Sequence, residues 1–332
     1  MKNEGKNSAF NLILTAICIF VGVGFITGAE IWFYFARFGG NMLFGLLIFG
    51  LLCFFIVYFA LGEGDQCTGA CKFKHWGLGF SELLVASAMV SGLLDISRNL
   101  FGSWWVLIFL LAIFVMIFVF IKGLKSMIIY NYFVAIFIVF VITCLFLFNN
   151  ENVLNFKQNF IFSYDIKSIF LACGFSVIYI FMNSAEMRPI LSKYDSKNKR
   201  KNKVVFSLLF TLLLIFLIST LSYFLIVNNS IANLSMPFLL LFNNCGDLVK
   251  FIFLTGLVLA LISTAVACLV GLKEKVNFNK KDEKFYTILV ILSSLILGQI
   301  SFVFFVKIVY PCIGVVNFLI FILDVVFKNH DT

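Results

Sequence analysis

A carboxylate and three glycines share one apolar stretch. Glu30 closes the run Val21-Gly22-Val23-Gly24-Phe25-Ile26-Thr27-Gly28-Ala29-Glu30, which lies in an otherwise apolar segment from Phe10 to Phe35. A charged side chain at the centre of a bilayer costs about 3 kcal/mol. Each glycine lowers helix propensity by about 1 kcal/mol relative to alanine. Opening the helix between Gly22 and Gly28 would free amides at the N-terminus of its outer half, which favour an anion. It would also free carbonyls at the end of its inner half, which suit a cation. Gly22, Gly24, Phe25, Thr27 and Gly28 are therefore candidate contacts for a small solute, and a zwitterion would satisfy both ends. The other use of such glycines is close packing against a neighbouring helix.

A second run echoes the first. Cys173-Gly174-Phe175-Ser176 is followed by Tyr179 and then Asn183-Ser184-Ala185-Glu186. Thr27-Gly28-Ala29-Glu30 aligns with Asn183-Ser184-Ala185-Glu186 as polar, small, Ala, Glu. Ser176, Tyr179, Asn183 and Ser184 would offer donors and acceptors to the same cavity. Glu186 is either the gating counterpart of Glu30 or an interfacial charge beside Arg188. In a low-dielectric cavity Glu30 would carry protons, pairing with Arg98 in one state. The competing arrangement is a local pair between Asp95 and Arg98 on one helix face.

The elements that must hold these residues follow from composition. The chain has 332 residues, 62% hydrophobic and 12% charged, whereas soluble domains carry roughly 25% charged residues. Burying this much apolar surface in a soluble core would leave too little polar surface for water. Apolar runs between charge clusters give ten expected spans, near 10–36, 42–62, 78–100, 103–121, 126–148, 168–190, 204–227, 247–272, 285–304 and 307–327. Each is long enough for a hydrocarbon layer of roughly 30 Å, and each must be helical because lipid cannot satisfy an open strand.

Ten spans place both termini on one side. Most of the 25 Lys and Arg residues then fall in segments on that side, so the positive-inside rule makes it cytoplasmic. The single domain, residues 1–332, reads as two five-span halves, about 10–148 and about 168–327. Because five is odd, the second half enters from the opposite side, an inverted repeat that places discontinuous helices at the midplane. Spans 1 and 6 are the expected discontinuous ones. At 1.5 Å per residue, Glu30 lies about 10 Å outward of the span midpoint and Glu186 about 10 Å inward. A short apolar piece, Pro237–Phe242, is too short to span. It is either a re-entrant helix capping the outer face or a surface loop helix.

The nine cysteines are scattered, mostly through apolar runs, and behave as small hydrophobes. Cys67, Cys71 and His75 recur every four residues but lack the spacing and fourth ligand of a zinc site. There is no nucleophile–base pair and no phosphate-binding loop, so neither an enzyme nor an organic cofactor is expected. The basic residues sit in short loops and do not indicate nucleic acid.

At these residues the chain resembles the YkvI-type bacterial membrane proteins. The match is carried by Gly22-Val-Gly24-Phe25-Ile-Thr27-Gly28-Ala-Glu30 and Phe35-Ala-Arg37-Phe38-Gly39. Further similarity lies in Ala88-Met89-Val90-Ser91-Gly92, Ser263-Thr264-Ala265-Val266 and Tyr310-Pro311-Cys312-Ile313-Gly314. The chain departs from that pattern at Ala29, where a polar residue, often Gln, is expected. The group is similar to the amino acid–polyamine–organocation transporters and to germinant-receptor membrane subunits. The resemblance implies an all-α, LeuT-type five-plus-five fold in a bacterial cytoplasmic membrane. It also implies a sodium site built from Ser263, Thr264 and carbonyls of the first helix; the alternative use of those hydroxyls is a bond back to the carbonyl four residues earlier.

The function expected is secondary transport of a small organic solute, an amino acid or related amine, coupled to sodium or protons. A germinant-receptor-like sensor that binds without transport is the alternative. The expected partners are the solute and the lipid bilayer.

Overall fold

An apolar backbone in lipid must satisfy its own amides, and helices do so within one segment. The computed structural model of the chain follows this rule: among the described residues every regular element is helical. It describes residues 15–18, 20–21, 23–61, 71–100, 102–122, 124–148, 160, 165–191, 200–228, 236–242, 246–276 and 283–328.

The elements run α1 (Val23–Thr27), α2 (Ala29–Tyr34), a 3₁₀ turn (Ala36–Asn41), α3 (Met42–Ala60), α4 (Cys71–Leu100), α5 (Trp105–Lys122), α6 (Leu124–Phe148) and α7 (Ile166–Leu191). There follow α8 (Arg200–Val227), α9 (Pro237–Phe242), α10 (Asp247–Val276), α11 (Glu283–Leu297), α12 (Phe302–Phe304), a π turn (Phe305–Val309) and α13 (Tyr310–Lys328). Six helical stretches are long and apolar enough to cross a membrane: Ala36–Ala60, Gly77–Arg98, Ile166–Ser184, Asn202–Val227, Asp247–Leu272 and Phe302–Leu323. Trp105–Ile121, Tyr130–Leu145 and Ile288–Leu297 are shorter apolar helices. The chain is a multi-pass, all-α membrane protein.

Each span sorts its faces as lipid requires. On α3, Leu47, Leu51, Phe55 and Phe59 recur every four residues and are exposed, while Leu46, Phe49, Cys53 and Val57 are buried. The interior is built from α4 against α10 and from α7 between α3 and α13. Two glycines bring those last neighbours onto the α7 backbone. A Cβ at Gly45 would lie 2.8 Å from the Ala172 carbonyl oxygen, and one at Gly314 would lie 2.5 Å from that of Ile178. Such contacts drive helix association where no hydrophobic effect operates.

The first expected span is discontinuous, as its glycines require, but the sixth is not. Helix α7 runs unbroken from Ile166 to Leu191, which corrects the expectation of a second break. Its polar residues bond within their own helix: the Ser176 hydroxyl donates to the Ala172 carbonyl (2.8 Å), the Asn183 amide to Tyr179 (3.0 Å) and the Ser184 hydroxyl to Phe181 (2.9 Å). Those bonds discharge the polarity that read as a break.

The expected boundary between the last two spans also moves. Helix α11 ends at Leu297, and residues 298–301 turn the chain before Ser301 accepts the Phe304 amide at 3.4 Å as the cap of α12. Lys307 sits inside the π turn, within the apolar stretch Phe302–Leu323. Cys71 and His75 begin α4; Cys67 lies outside the described residues.

Candidate functional site

The site forms where the first span changes direction. Gly28 ends α1 and caps α2 with φ 83°, a left-handed conformation that glycine adopts without steric cost. The Gly28 amide reaches back to the Phe25 carbonyl (3.2 Å), and the Gly28 carbonyl starts α2 by accepting from Trp32 (2.9 Å). Thr27 bridges the interruption with one hydroxyl. It donates to the Gly24 carbonyl at 3.1 Å and accepts from the Ala29 amide at 3.3 Å. Among the described residues Gly28 alone separates α1 from α2, and part of the backbone polarity expected to face a solute is taken by Thr27.

Glu30 lies in the first turn of α2, where a negative charge complements the helix dipole. It is buried, with 5% of its surface exposed. Its carboxylate folds back across the break onto Gly24: a Cβ there would fall 1.8 Å from its Cδ. The Tyr179 hydroxyl of α7 donates to its Oε2 at 3.2 Å. Among the sequence-nominated residues of α7, Tyr179 alone reaches Glu30. Ser176 faces Gly45 of α3, and Ser184 lines a small cleft with Asn317, which has room for about one water molecule. The side chain of Glu186 and all of Gly22 lie outside the described residues.

Rings enclose this pair. Tyr179 packs against Phe20 (centroids 5.6 Å), Tyr34 (4.9 Å), Phe35 (5.3 Å) and Phe49 (6.3 Å). Tyr34 is fully buried, and its hydroxyl has no hydrogen-bond partner among the described residues. The row continues through Phe175, 6.0 Å from Tyr34, to Arg37, whose guanidinium lies 4.3 Å from the Phe175 centroid. Phe33 and Phe38 complete the shelf for Arg37, at 4.2 and 4.8 Å. On the other side of the break, α9 packs on α1 and α10, with Phe238 fully buried. A Cβ on Gly28 would come within 3.0 Å of the Phe238 ring. The short helix therefore covers the break instead of lying loose on the surface.

Arg98 is not brought to Glu30. It is exposed at the end of α4 with its guanidinium 5.1 Å from the Trp105 ring centroid. Ser263 and Thr264 are buried in α10 and already engaged. Thr264 donates to the Ala260 carbonyl at 3.2 Å, and Ser263 donates to Oδ1 of Asn131 on α6. The Asn131 carbonyl oxygen in turn accepts from the Cys18 thiol at 3.3 Å, tying the first span to α6 and α10.

The sequence reading missed Tyr34, Phe35 and Phe49, whose aromatic type is unremarkable in a chain with 45 phenylalanines. It also missed two buried polar residues of the spans, Asn131 in span 5 and Glu82 in span 3. Glu82 is 1% exposed, and its Oε1 would lie 2.4 Å from a Cβ placed on Gly271. An acid buried in an apolar span is itself a signal of function. Among the described residues no group of three His, Cys, Asp or Glu side chains could hold a metal ion. No protein-family model matches the sequence, and a search of curated proteins finds no relative.

Proposed function

We propose that the chain is a secondary transporter of a small organic solute, an amine or amino acid, driven by protons through Glu30. The observation that carries this reading is the buried Glu30 carboxylate, seated on Gly24 across the break at Gly28 and held by Tyr179. A carboxylate in this setting is stable either with a proton or with a cation beside it, and the choice alters how α1, α2 and α7 fit together. That is the coupling an alternating-access cycle needs.

Protons are favoured over sodium because the buried acid lies at the break itself, whereas Ser263 and Thr264 lie on a continuous helix. Ser263 serves Asn131, and Thr264 serves its own helix. Around this centre we place ten spans in two inverted halves of LeuT type, with both termini in the cytoplasm of a bacterium. The resemblance to YkvI-type proteins and the distribution of lysines support that arrangement.

The test is uptake into proteoliposomes across a panel of amino acids and amines, with sodium or a pH gradient imposed separately. Accumulation driven by the pH gradient and abolished in Glu30→Gln is expected. Accumulation that follows sodium alone would overturn proton coupling. Specific binding without accumulation would favour a sensor, a reading to which the sealed packing of Phe238 over Gly28 lends itself.

A further inference from the structure

The row of rings from Arg37 to Glu30 has a sign. Its outer end already holds a cation: the guanidinium of Arg37, which is exposed, lies 4.2 to 4.8 Å from the centroids of Phe33, Phe38 and Phe175. Its inner end is a carboxylate. Between them stand Phe175, Tyr34 and Tyr179, spaced 6.0 and 4.9 Å apart. The π faces of such rings attract positive charge, and more strongly once water is excluded. Glu30 is 5% exposed, and among the described residues no cationic side chain pairs with it. The Tyr34 hydroxyl, fully buried and without a partner among the described residues, is a free lone-pair acceptor one helical turn from Glu30.

At the break a solute carboxylate finds no comparable reception, and the guanidinium of Arg37 stands at the far end of the row. The Ala29 amide, which a broken helix would offer to an anion, is bonded to Thr27. The Gly28 amide is bonded to Phe25. Glu30 itself fills the first turn of α2, and a second negative charge there would be repelled.

We infer that Glu30, Tyr34 and Tyr179 form the seat of an organic ammonium ion, and that the preferred solute carries an amine without a carboxylate of its own. The inference rests on the transporter reading only for what happens after binding; the seat can be tested alone. Binding would draw the Glu30 carboxylate off Gly24 toward the ammonium, with the two tyrosine faces flanking the cation. The hollow left above Gly24 is then available to the solute.

The experiment is calorimetric titration of the full chain in lipid nanodiscs with four probes: tetramethylammonium, butylammonium, valerate and norleucine. Both ammonium ions should bind, valerate should not, and norleucine should bind at least roughly tenfold more weakly than butylammonium, about 1.4 kcal/mol. Glu30→Gln should weaken both ammonium ions by at least about tenfold. This variant still accepts the Tyr179 hydroxyl, and its unaltered thermal midpoint would show that it is folded. Tyr34→Phe keeps the ring and should spare tetramethylammonium while weakening butylammonium, which can donate to the lost hydroxyl.

Valerate or norleucine binding as tightly as butylammonium would overturn the seat. So would ammonium binding indifferent to Glu30→Gln, or no ammonium binding at all. Ammonium binding with no uptake in proteoliposomes would sink the transporter reading and leave the seat standing. Uptake of norleucine driven by the pH gradient and abolished in Glu30→Gln, with no binding of either ammonium ion, would do the reverse.

Discussion

The carboxylate of Glu30 occupies the space that a side chain at Gly24 would need. A Cβ on Gly24 would lie 1.8 Å from both Cδ and Oε1 of Glu30. Six residues apart, the two lie on opposite sides of the turn at Gly28, so the acid measures whether that turn keeps its shape.

Gly24→Ala should therefore displace Glu30 from Tyr179. Overpacking of a close-fitted interior costs about 1–3 kcal/mol, and uptake should fall to the level of Glu30→Gln. Gly174→Ala is the control. A Cβ there meets nothing within 4 Å, and replacing a glycine inside α7 should stabilise by up to about 1 kcal/mol. Unfolding of both variants in the same detergent checks the pair; a Gly24→Ala protein with wild-type stability and uptake would mean that Glu30 has no such seat.

Gly28→Ala meets two obstacles, its φ of 83° and the Phe238 ring 3.0 Å from the new Cβ. The backbone cost, about 1–3 kcal/mol, cannot be relieved by trimming the ring. Adding Phe238→Ala should recover the steric part alone. Gly28→Ala with Phe238→Ala is thus expected to be less stable than Phe238→Ala by at least about 1 kcal/mol, read as a shift in unfolding midpoint. Equal midpoints would show that the turn does not need its glycine.

Tyr179→Phe removes the hydroxyl that donates to Glu30. Hydrogen bonds to charged groups contribute about 1.5–3 kcal/mol, and double-mutant cycles isolate the pair. Tyr179→Phe and Glu30→Ala should combine less than additively in stability, because each removes one partner of the same contact. Additive losses would indicate that the two act separately.

How far the sequence led is visible at these same residues. Glu30 and the glycines beside it announced the break because no packing rule asks for an acid and three glycines in one span. Tyr179 was nominated for the right neighbourhood, but its companions Ser176, Asn183 and Ser184 were not separable from it. A hydroxyl or amide that bonds back to its own helix has the same letter as one that lines a site. The echo between spans 1 and 6 suggested two breaks, whereas only the first has a residue with left-handed φ at its turn. Tyr34, Phe35 and Phe49 were illegible because aromatic residues fill both lipid faces and interiors here, and ring packing is decided by tertiary contact. Phe238 was foreshadowed by the short apolar piece, but its docking on Gly28 depends on residues far apart in the chain.

The Asn131–Ser263 contact makes an asymmetric prediction about stability and a symmetric one about sodium. Both residues are buried, and Nδ2 of Asn131 already lacks a partner. Ser263→Ala would take the donor from Oδ1 as well, leaving the amide side chain wholly unpaired. An orphaned buried polar group costs about 1–3 kcal/mol. Asn131→Leu removes the whole amide and frees the Ser263 hydroxyl to bond back to the Leu259 carbonyl, as Thr264 does to Ala260. Deleting the amide should therefore be milder than deleting the hydroxyl, although it replaces the larger polar group. Midpoints of unfolding for the two variants decide the order, and a more damaging Asn131→Leu would show that the amide itself holds α6 to α10. Neither variant should change the response of uptake when sodium replaces potassium, since the proposed coupling runs through Glu30. Sodium-dependent uptake that Ser263→Ala abolishes would restore the ion site at this position and place the coupling there instead of at Glu30.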